Sequence, residues 1–201
     1  NNMYSGISSI CDTSGEFLFV TDSRKLYNRN GDTMSGGAWP INNACISSHS
    51  GPGPFNSIIL PKNSHEYYII YPTMSDSACE YRWLPATITD TFKYDELRYS
   101  IIDINKNNGL GEVTILNKLL KHQPNNFINT FNQTNLTAAR HANGRDWWLI
   151  KPNPGHRNLK FMFLVSDEGI KEYPTQYIEQ YLGTNINYNY VLQCRPTCGV
   201  C

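Results

Sequence analysis

The blocks Phe17-Leu18-Phe19-Val20, Tyr67-Tyr68-Ile69-Ile70 and Trp147-Trp148-Leu149-Ile150 are each apolar at all four positions. All three are rich in aromatic or β-branched side chains and lie between turn-forming residues, which marks them as strands. Successive side chains of a strand point to opposite faces, so both faces of these strands are apolar and both need cover. A β-sandwich strand, with one face in water, alternates apolar and polar residues more cleanly. The blocks therefore predict sheets packed between other sheets.

The third block has the clearest local code. Asn143-Gly144 tolerates positive φ at both central positions of a type I′ turn, which predicts a two-residue hairpin connection between the strands on either side. Trp147 and Leu149 then face one way and Trp148 and Ile150 the other, with both tryptophans mostly buried and four strands spanning Leu136 to Tyr173. Upstream, Ile7 to Asp32 reads as a three-strand meander with turns at Asp12 to Gly15 and Asn28 to Gly31. Thr33 to Pro54, rich in Gly, Ser, Pro and Asn, predicts a connecting loop with Trp39 plugging a sheet face. Phe55 to Tyr71 repeats the hairpin design around Lys62 to His65. Leu97 to Ile104 is a further strand, and EVTILNKLL, from Glu112, reads as a strand running into a short helix. The three apolar blocks then occupy second-strand positions, with YSII from Tyr99 and FMFL from Phe161 in third-strand positions.

These blocks are separated by about 50 and then about 80 residues, the wider gap coming from two irregular insertions, Thr73 to Asp95 and Lys121 to Asn135, and repeat-propeller blades run about 40 to 50 residues. The predicted fold is all-β and propeller-like, of the WD or YVTN repeat type, with four-stranded antiparallel blades at 7–54, 55–120 and 136–180 and an irregular tail at 181–201. Three blades fall short of the roughly four to eight that close a ring, so the chain is expected to be a partial propeller and a piece of a longer protein.

Composition narrows the partners. Among 201 residues, 17 basic and 17 acidic side chains cancel, which weighs against nucleic acid or an anionic membrane as a partner. No apolar run approaches the roughly 20 residues of a membrane-spanning helix, so no membrane insertion is expected. Six cysteines, Cys11, Cys45, Cys79, Cys194, Cys198 and Cys201, are compatible with an extracytoplasmic protein, and sequence leaves their pairing open.

Four patterns invite chemistry. Arg140, His141, Arg145 and Asp146 crowd one hairpin, where a His beside a carboxylate can act as a base, but cross-strand pairing over the turn already explains their proximity. Asp103, Asn105, Asn107 and Glu112 offer oxygen ligands, yet Gly109 falls one place late and Glu112 two places early for an EF-hand calcium loop. Cys194, Cys198 and Cys201 have the spacing of a four-iron cluster motif but lack the βα-barrel context it belongs to. Asn132 and Asn135 match glycosylation sequons by pattern. No catalytic, metal or cofactor residue is assigned, and no cofactor is expected. The Trp83, Tyr81 and Tyr94 side chains of the insertions are the candidates for recognition, because loops on a rigid scaffold carry it.

The order ICDTSGEFLFVTDSRKLYNRNGDTM (from Ile10), SIILPKNSHEYYIIYP (from Ser57), LRYSIIDINKNNGLGEV (from Leu97), LTAARHANGRDWWLI (from Leu136) and FLVSDEGI (from Phe163) resembles the N-terminal β-propeller region of large Bacteroidetes surface proteins associated with type IX secretion and gliding motility. Its most specific part is His141-Ala142-Asn143-Gly144 with Asp146-Trp147-Trp148. It covers most of Ile7 to Ile170 and departs after Tyr173, where such proteins continue into another blade and often into PKD or immunoglobulin-like modules. The resemblance implies an extracellular or outer-membrane location, a protein or glycan as ligand, and further blades and downstream domains as intramolecular partners. Two function classes follow: a non-catalytic surface-binding module, which is the expectation, and the propeller portion of a secreted hydrolase completed by further blades.

Overall fold

The computed structural model describes residues 7–22, 25–38, 57–80, 94–123, 131, 136–152 and 159–177. With 64% of the described residues in strands, the fold is all-β. The strands follow the chain as three meanders of four. The first is β1 (Ser8–Cys11), β2 (Phe17–Thr21), β3 (Lys25–Asn28) and β4 (Thr33–Ala38). The second is β5 (Ile58–Pro61), β6 (Glu66–Thr73), β7 (Glu96–Asp103) and β8 (Glu112–His122). The third is β9 (Thr137–Arg140), β10 (Trp147–Pro152), β11 (Leu159–Val165) and β12 (Ile170–Tyr177). Consecutive strands within each meander pair antiparallel. The three apolar blocks lie in β2, β6 and β10, the second strand of each meander, and YSII and FMFL lie in β7 and β11, both third strands.

A parallel contact between β4 and β8, at Ser35 and Glu112, joins the first two meanders into one eight-stranded sheet. That sheet curls into a nearly closed barrel. Its ends meet where the Ser8 hydroxyl donates to the Ser57 carbonyl at 2.6 Å and the Ser57 hydroxyl donates to Ser8 Oγ at 3.0 Å. The third meander forms its own four-stranded sheet.

Burial follows the two-sided pattern. From β6, Tyr67, Ile69 and Tyr71 enter one core with Phe19, Leu26 and Met34 of the first meander. Tyr68 and Ile70 enter the other core, with Leu149, Phe161, Phe163 and Val165 of the third meander. Ile69 and Ile70 are both fully buried on opposite faces, and burying each apolar side chain of that size contributes about 1.5 to 3 kcal/mol. Rings lock the layers: Phe19 meets Tyr67 edge-on at 5.6 Å, and the Tyr68 hydroxyl donates to the Ser166 carbonyl at 3.2 Å.

The first turn of every meander is held by one short side chain accepting amides further along the loop, an Asx turn. Asp12 Oδ1 accepts from Ser14 N and Glu16 N, Asn63 Oδ1 from His65 N and Glu66 N, and Asn143 Oδ1 from Arg145 N and Asp146 N, all between 2.8 and 3.0 Å. The Ser14 hydroxyl, and then the Glu16 amide, hold the Asp12 carboxyl below the usual carboxylate range. At the third meander this replaces the expected type I′ turn. Only Gly144 has positive φ there, at 71°, and the loop closes one step wider, with His141 N donating to Asp146 O at 2.8 Å.

Other expectations change as well. Thr33–Ala38 is a strand, not the start of a loop. Its glycines read as breakers but are spacers: a Cβ on Gly37 would sit 2.9 Å from Leu26 Cβ, and one on Gly36 would sit 3.3 Å from Val113. EVTILNKLL is strand throughout. Its period breaks because Asn117, at φ 55°, bulges, pinned by its own amide donating to Ser100 Oγ and by Arg98 Nη1 donating to its carbonyl. The insertion after β6 contains a short helix, α1 (Asp76–Glu80), and a second short helical turn, α2 (Lys106–Gly109), connects β7 to β8. Trp147 and Trp148 do face opposite ways, but each is half-buried where deep burial was expected. Phe17, expected to fill a face, is 40% exposed. No helix among the described residues is long and apolar enough to cross a membrane.

Replacing Ile69 or Ile70 with Ala is expected to cost about 2 to 5 kcal/mol in urea denaturation. A cost below about 1 kcal/mol at either position would mean that its face is unpacked. Trp147 gives a different expectation, because its Nε1 is buried with no hydrogen-bond partner among the described residues. An unmet buried donor costs about 1 to 3 kcal/mol, so Trp147→Phe is expected to fall within about 1 kcal/mol of the parent, while Trp147→Ala loses about 3 kcal/mol or more. Equal losses for the two variants would show that the indole N–H does have a partner.

Candidate functional site at the roots of two insertions

The two insertions leave the second meander at the same place. One connects β6 to β7 and the other follows β8, and β7 and β8 are neighbours, with Glu96 opposite His122. The far end of the first insertion, Tyr94, forms an isolated antiparallel bridge with Phe131 of the second. Both side chains are fully buried, and Phe131 packs on Phe161 of the third meander at 5.4 Å. Tyr94, a candidate recognition residue by sequence, is thus part of the core. A two-residue bridge between distant loops leaves no sequence signal.

Asp95 anchors the junction. Its carboxylate is wholly buried, whereas the neighbouring His122 side chain is 46% exposed. Oδ1 accepts from Ser75 N at 2.7 Å, and Oδ2 accepts from the Ser75 hydroxyl at 2.5 Å and lies 3.4 Å from His122 Nε2. The Asp95 carbonyl accepts from Gln123 N at 2.8 Å. One residue therefore binds the start of the first insertion, its own end, and the start of the second. Ser75 Oγ also accepts from Ala78 N at 3.2 Å, capping α1, and lies 3.0 Å from Ser77 Oγ.

Serine, histidine and aspartate meet here, but in the wrong order for nucleophilic catalysis. A serine nucleophile needs imidazole as its base, with the carboxylate behind the imidazole. Here the carboxylate stands between them, so Ser75 is a cap and Asp95 a clasp. The surrounding charge ties the junction to the third meander: Lys121 pairs with Glu172 and lies 5.2 Å over the Phe161 ring.

Lys151 is the most unusual group nearby. It lies opposite Phe161 on the inward face of β10, 1% exposed. Burial pushes its ammonium down from the ordinary lysine range to about 7. No sequence signal singled it out, because a lysine after WWLI reads as the end of a strand.

The sequence candidates fall elsewhere. His141 and Asp146 are joined through their backbones, and their side chains serve the turn: His141 Nδ1 accepts from Asn143 N at 3.1 Å, while Asn143 Nδ2 and Arg145 Nε donate to the Asp146 carboxylate at 2.7 and 3.0 Å. Those two donors, Asn143 first, hold the Asp146 carboxyl below its usual range. In the Asp103 to Glu112 loop, Asp103 Oδ1 accepts from Asn105 N at 3.0 Å, and Arg29 Nη2 donates to the Gly109 carbonyl at 2.5 Å, so a guanidinium already sits on that oxygen. Among the described residues no three His, Cys, Asp or Glu side chains form a metal-binding group. Cys11 is exposed with a free thiol. Trp39, Tyr81, Trp83, Cys45, Asn132, Asn135, Cys194, Cys198, Cys201 and the side chain of Cys79 lie outside the described residues.

Lys151 makes stability depend on pH with a definite sign. In the unfolded chain its ammonium titrates near about 10.4. Between that value and the depressed folded one, the unfolded chain binds a proton that the folded chain does not, so raising the pH favours folding. Burial pushes the Tyr68 and Tyr71 hydroxyls up, which opposes this only near and above about pH 10. Stability is expected to rise from about pH 7 to about pH 9.5, and Lys151→Met is expected to flatten that rise. A rise of equal size in the variant would assign it to another group.

Comparison of the chain with family models, with curated proteins and with solved structures returns no match.

Proposed function

We propose that this chain is part of a β-propeller and acts as a non-catalytic recognition module of a larger secreted or cell-surface protein, binding a protein or a glycan through the two insertions rooted at Asp95. The observation that carries the reading is the shared root: two long loops, separate in sequence, are pinned together by Tyr94 with Phe131 and by Asp95 with Ser75, His122 and Gln123. Long loops held side by side on a rigid β scaffold are the usual carriers of recognition. The propeller part of the reading rests on the chain order of three four-strand meanders and on a second meander packed on both faces, although the first two meanders are joined in one eight-stranded sheet. An extracellular or outer-membrane location rests on the resemblance to Bacteroidetes surface proteins. A carboxylate placed between serine and imidazole supports binding over hydrolysis.

The test is a glycan array and a panel of purified surface proteins, probed with the intact chain and with Tyr81→Ala, Trp83→Ala and a form in which residues 81–93 are replaced by a short Gly-Ser linker. Loss of an aromatic contact is expected to weaken binding about tenfold or more, and the linker form is expected to abolish it with the thermal midpoint little changed. Binding indifferent to all three changes would overturn the assignment to the insertions. Turnover of glycoside, ester or peptide substrates, lost in His122→Ala or His141→Ala, would make the chain part of a hydrolase instead.

A further inference from the structure

The described turns contain the pairs Asn30-Gly31, Asn108-Gly109 and Asn143-Gly144. An Asn-Gly pair is prone to react with its own backbone, because glycine has no side chain to keep its amide nitrogen away from the asparagine carboxamide. The glycine nitrogen gives its proton to a solvent base and attacks Cγ. A C–N bond forms there, the bond from Cγ to Nδ2 breaks, and ammonia leaves with a proton from water. Water then opens the cyclic imide at either carbonyl, giving aspartate or isoaspartate, with no oxidant or reductant involved.

The asparagines of these pairs are all exposed, so what distinguishes them is how each turn holds the reacting atoms. Asn143 is held on every side. Its Oδ1 accepts from Arg145 N and Asp146 N, its Nδ2 donates to the Asp146 carboxylate at 2.7 Å, and Gly144 N donates to the His141 carbonyl at 2.9 Å. The carboxamide cannot swing toward Gly144 without breaking these bonds. Asn108 is held by its backbone instead. At φ 56° and ψ 35°, the Gly109 nitrogen lies nearly opposite Cβ about the Cα–C bond, whereas ring closure needs the two on the same side. Leu110 N and Gly111 N keep that turn by donating to the Asn107 and Lys106 carbonyls at 3.0 Å, and Arg29 holds the Gly109 carbonyl. Asn30 has neither restraint. Its φ is negative, the described residues offer its carboxamide no hydrogen-bond partner, and the Gly31 amide is tied only by its donation to the Asn28 carbonyl at 3.0 Å.

We propose that Asn30 is the site at which this chain deamidates, and that the hydrogen bonds around Asn143 protect the pair that is most conspicuous in the sequence. Conversion at Asn30 replaces a neutral amide with a carboxylate next to Arg29, the residue that links this turn to Gly109 of the second meander. The isoaspartate product also adds a main-chain carbon to the turn between β3 and β4.

The intact chain is incubated at mildly alkaline pH, with and without urea, and conversion at each pair is followed by peptide mapping and mass spectrometry. In the folded chain Asn30 is expected to convert about tenfold or more faster than Asn143, whose turn must first lose several hydrogen bonds, and faster than Asn108. In urea the rates are expected to converge, since only the folded turns distinguish the pairs. Asp146→Ala removes the acceptor of Asn143 Nδ2 and is expected to speed conversion at Asn143 alone, with the circular dichroism unchanged. Equal rates at Asn30 and Asn143 in the folded chain would overturn the proposal, as would fastest conversion at Asn108. Fastest conversion at Asn143 would overturn it too, because the amides on Oδ1 would then activate the carboxamide rather than restrain it. A difference that persists in urea would assign the order to local sequence and not to the turns, and an Asn143 rate unmoved by Asp146→Ala would refute protection by that carboxylate.

Discussion

Burial of β6 and β7 on both faces is the constraint on which the rest of the structure depends. Residues next to each other on β6 belong to different cores: Ile69 packs with Phe19 and Leu26, Ile70 with Phe163 and Val165. A strand of this kind is stable only when a sheet lies on each side of it. The first and third meanders therefore hold their places because the second presents two apolar faces, and neither of them touches the other's core. Removing either would expose a row of aromatic and β-branched side chains far larger than the apolar patches a soluble surface tolerates.

Two-sided burial of β6 was legible in the sequence because it needs no long-range knowledge, whereas of the blocks in β2 and β10 only Phe19 and Leu149 are fully buried. FLFV, YYII and WWLI are apolar at both odd and even positions, and the structure has each as the second strand of a meander. What the sequence hid depends on contacts between distant segments. Thr33–Ala38 contains two glycines and reads as loop, and only the approach of Leu26 and Val113 explains why a strand there needs residues without a Cβ. The period of β8 is broken by a bulge at Asn117 whose partners, Ser100 and Arg98, lie on another strand. At Asn143 two local options compete: the side-chain oxygen takes two backbone amides, and the wider loop they hold displaces the type I′ turn.

The candidate site divides the same way. That two long insertions exist, and that they suit recognition, follows from composition and loop length. That they meet does not. Asp95 is an unremarkable acidic residue in the sequence, and its role comes from Ser75 and His122 arriving from other elements. Tyr94 looked like a surface aromatic and is a buried strut, because Phe131 pairs with its backbone. The conspicuous cluster of Arg140, His141, Arg145 and Asp146 proved to be turn architecture, with its polar side chains largely engaged in closing one loop.

The most direct test of the two-faced second meander is a nuclear Overhauser spectrum of the intact chain in solution. Cross-peaks are expected from the Tyr67 ring to the Phe19 ring, whose centroids are 5.6 Å apart, and, in the same sample, from the Tyr68 ring to protons around Ser166, whose carbonyl the Tyr68 hydroxyl reaches. Both sets together place a different meander on each side of β6. Absence of either set in a folded sample, with the other intact, would contradict the account, because one face of the strand would then lack the sheet that its side chains require.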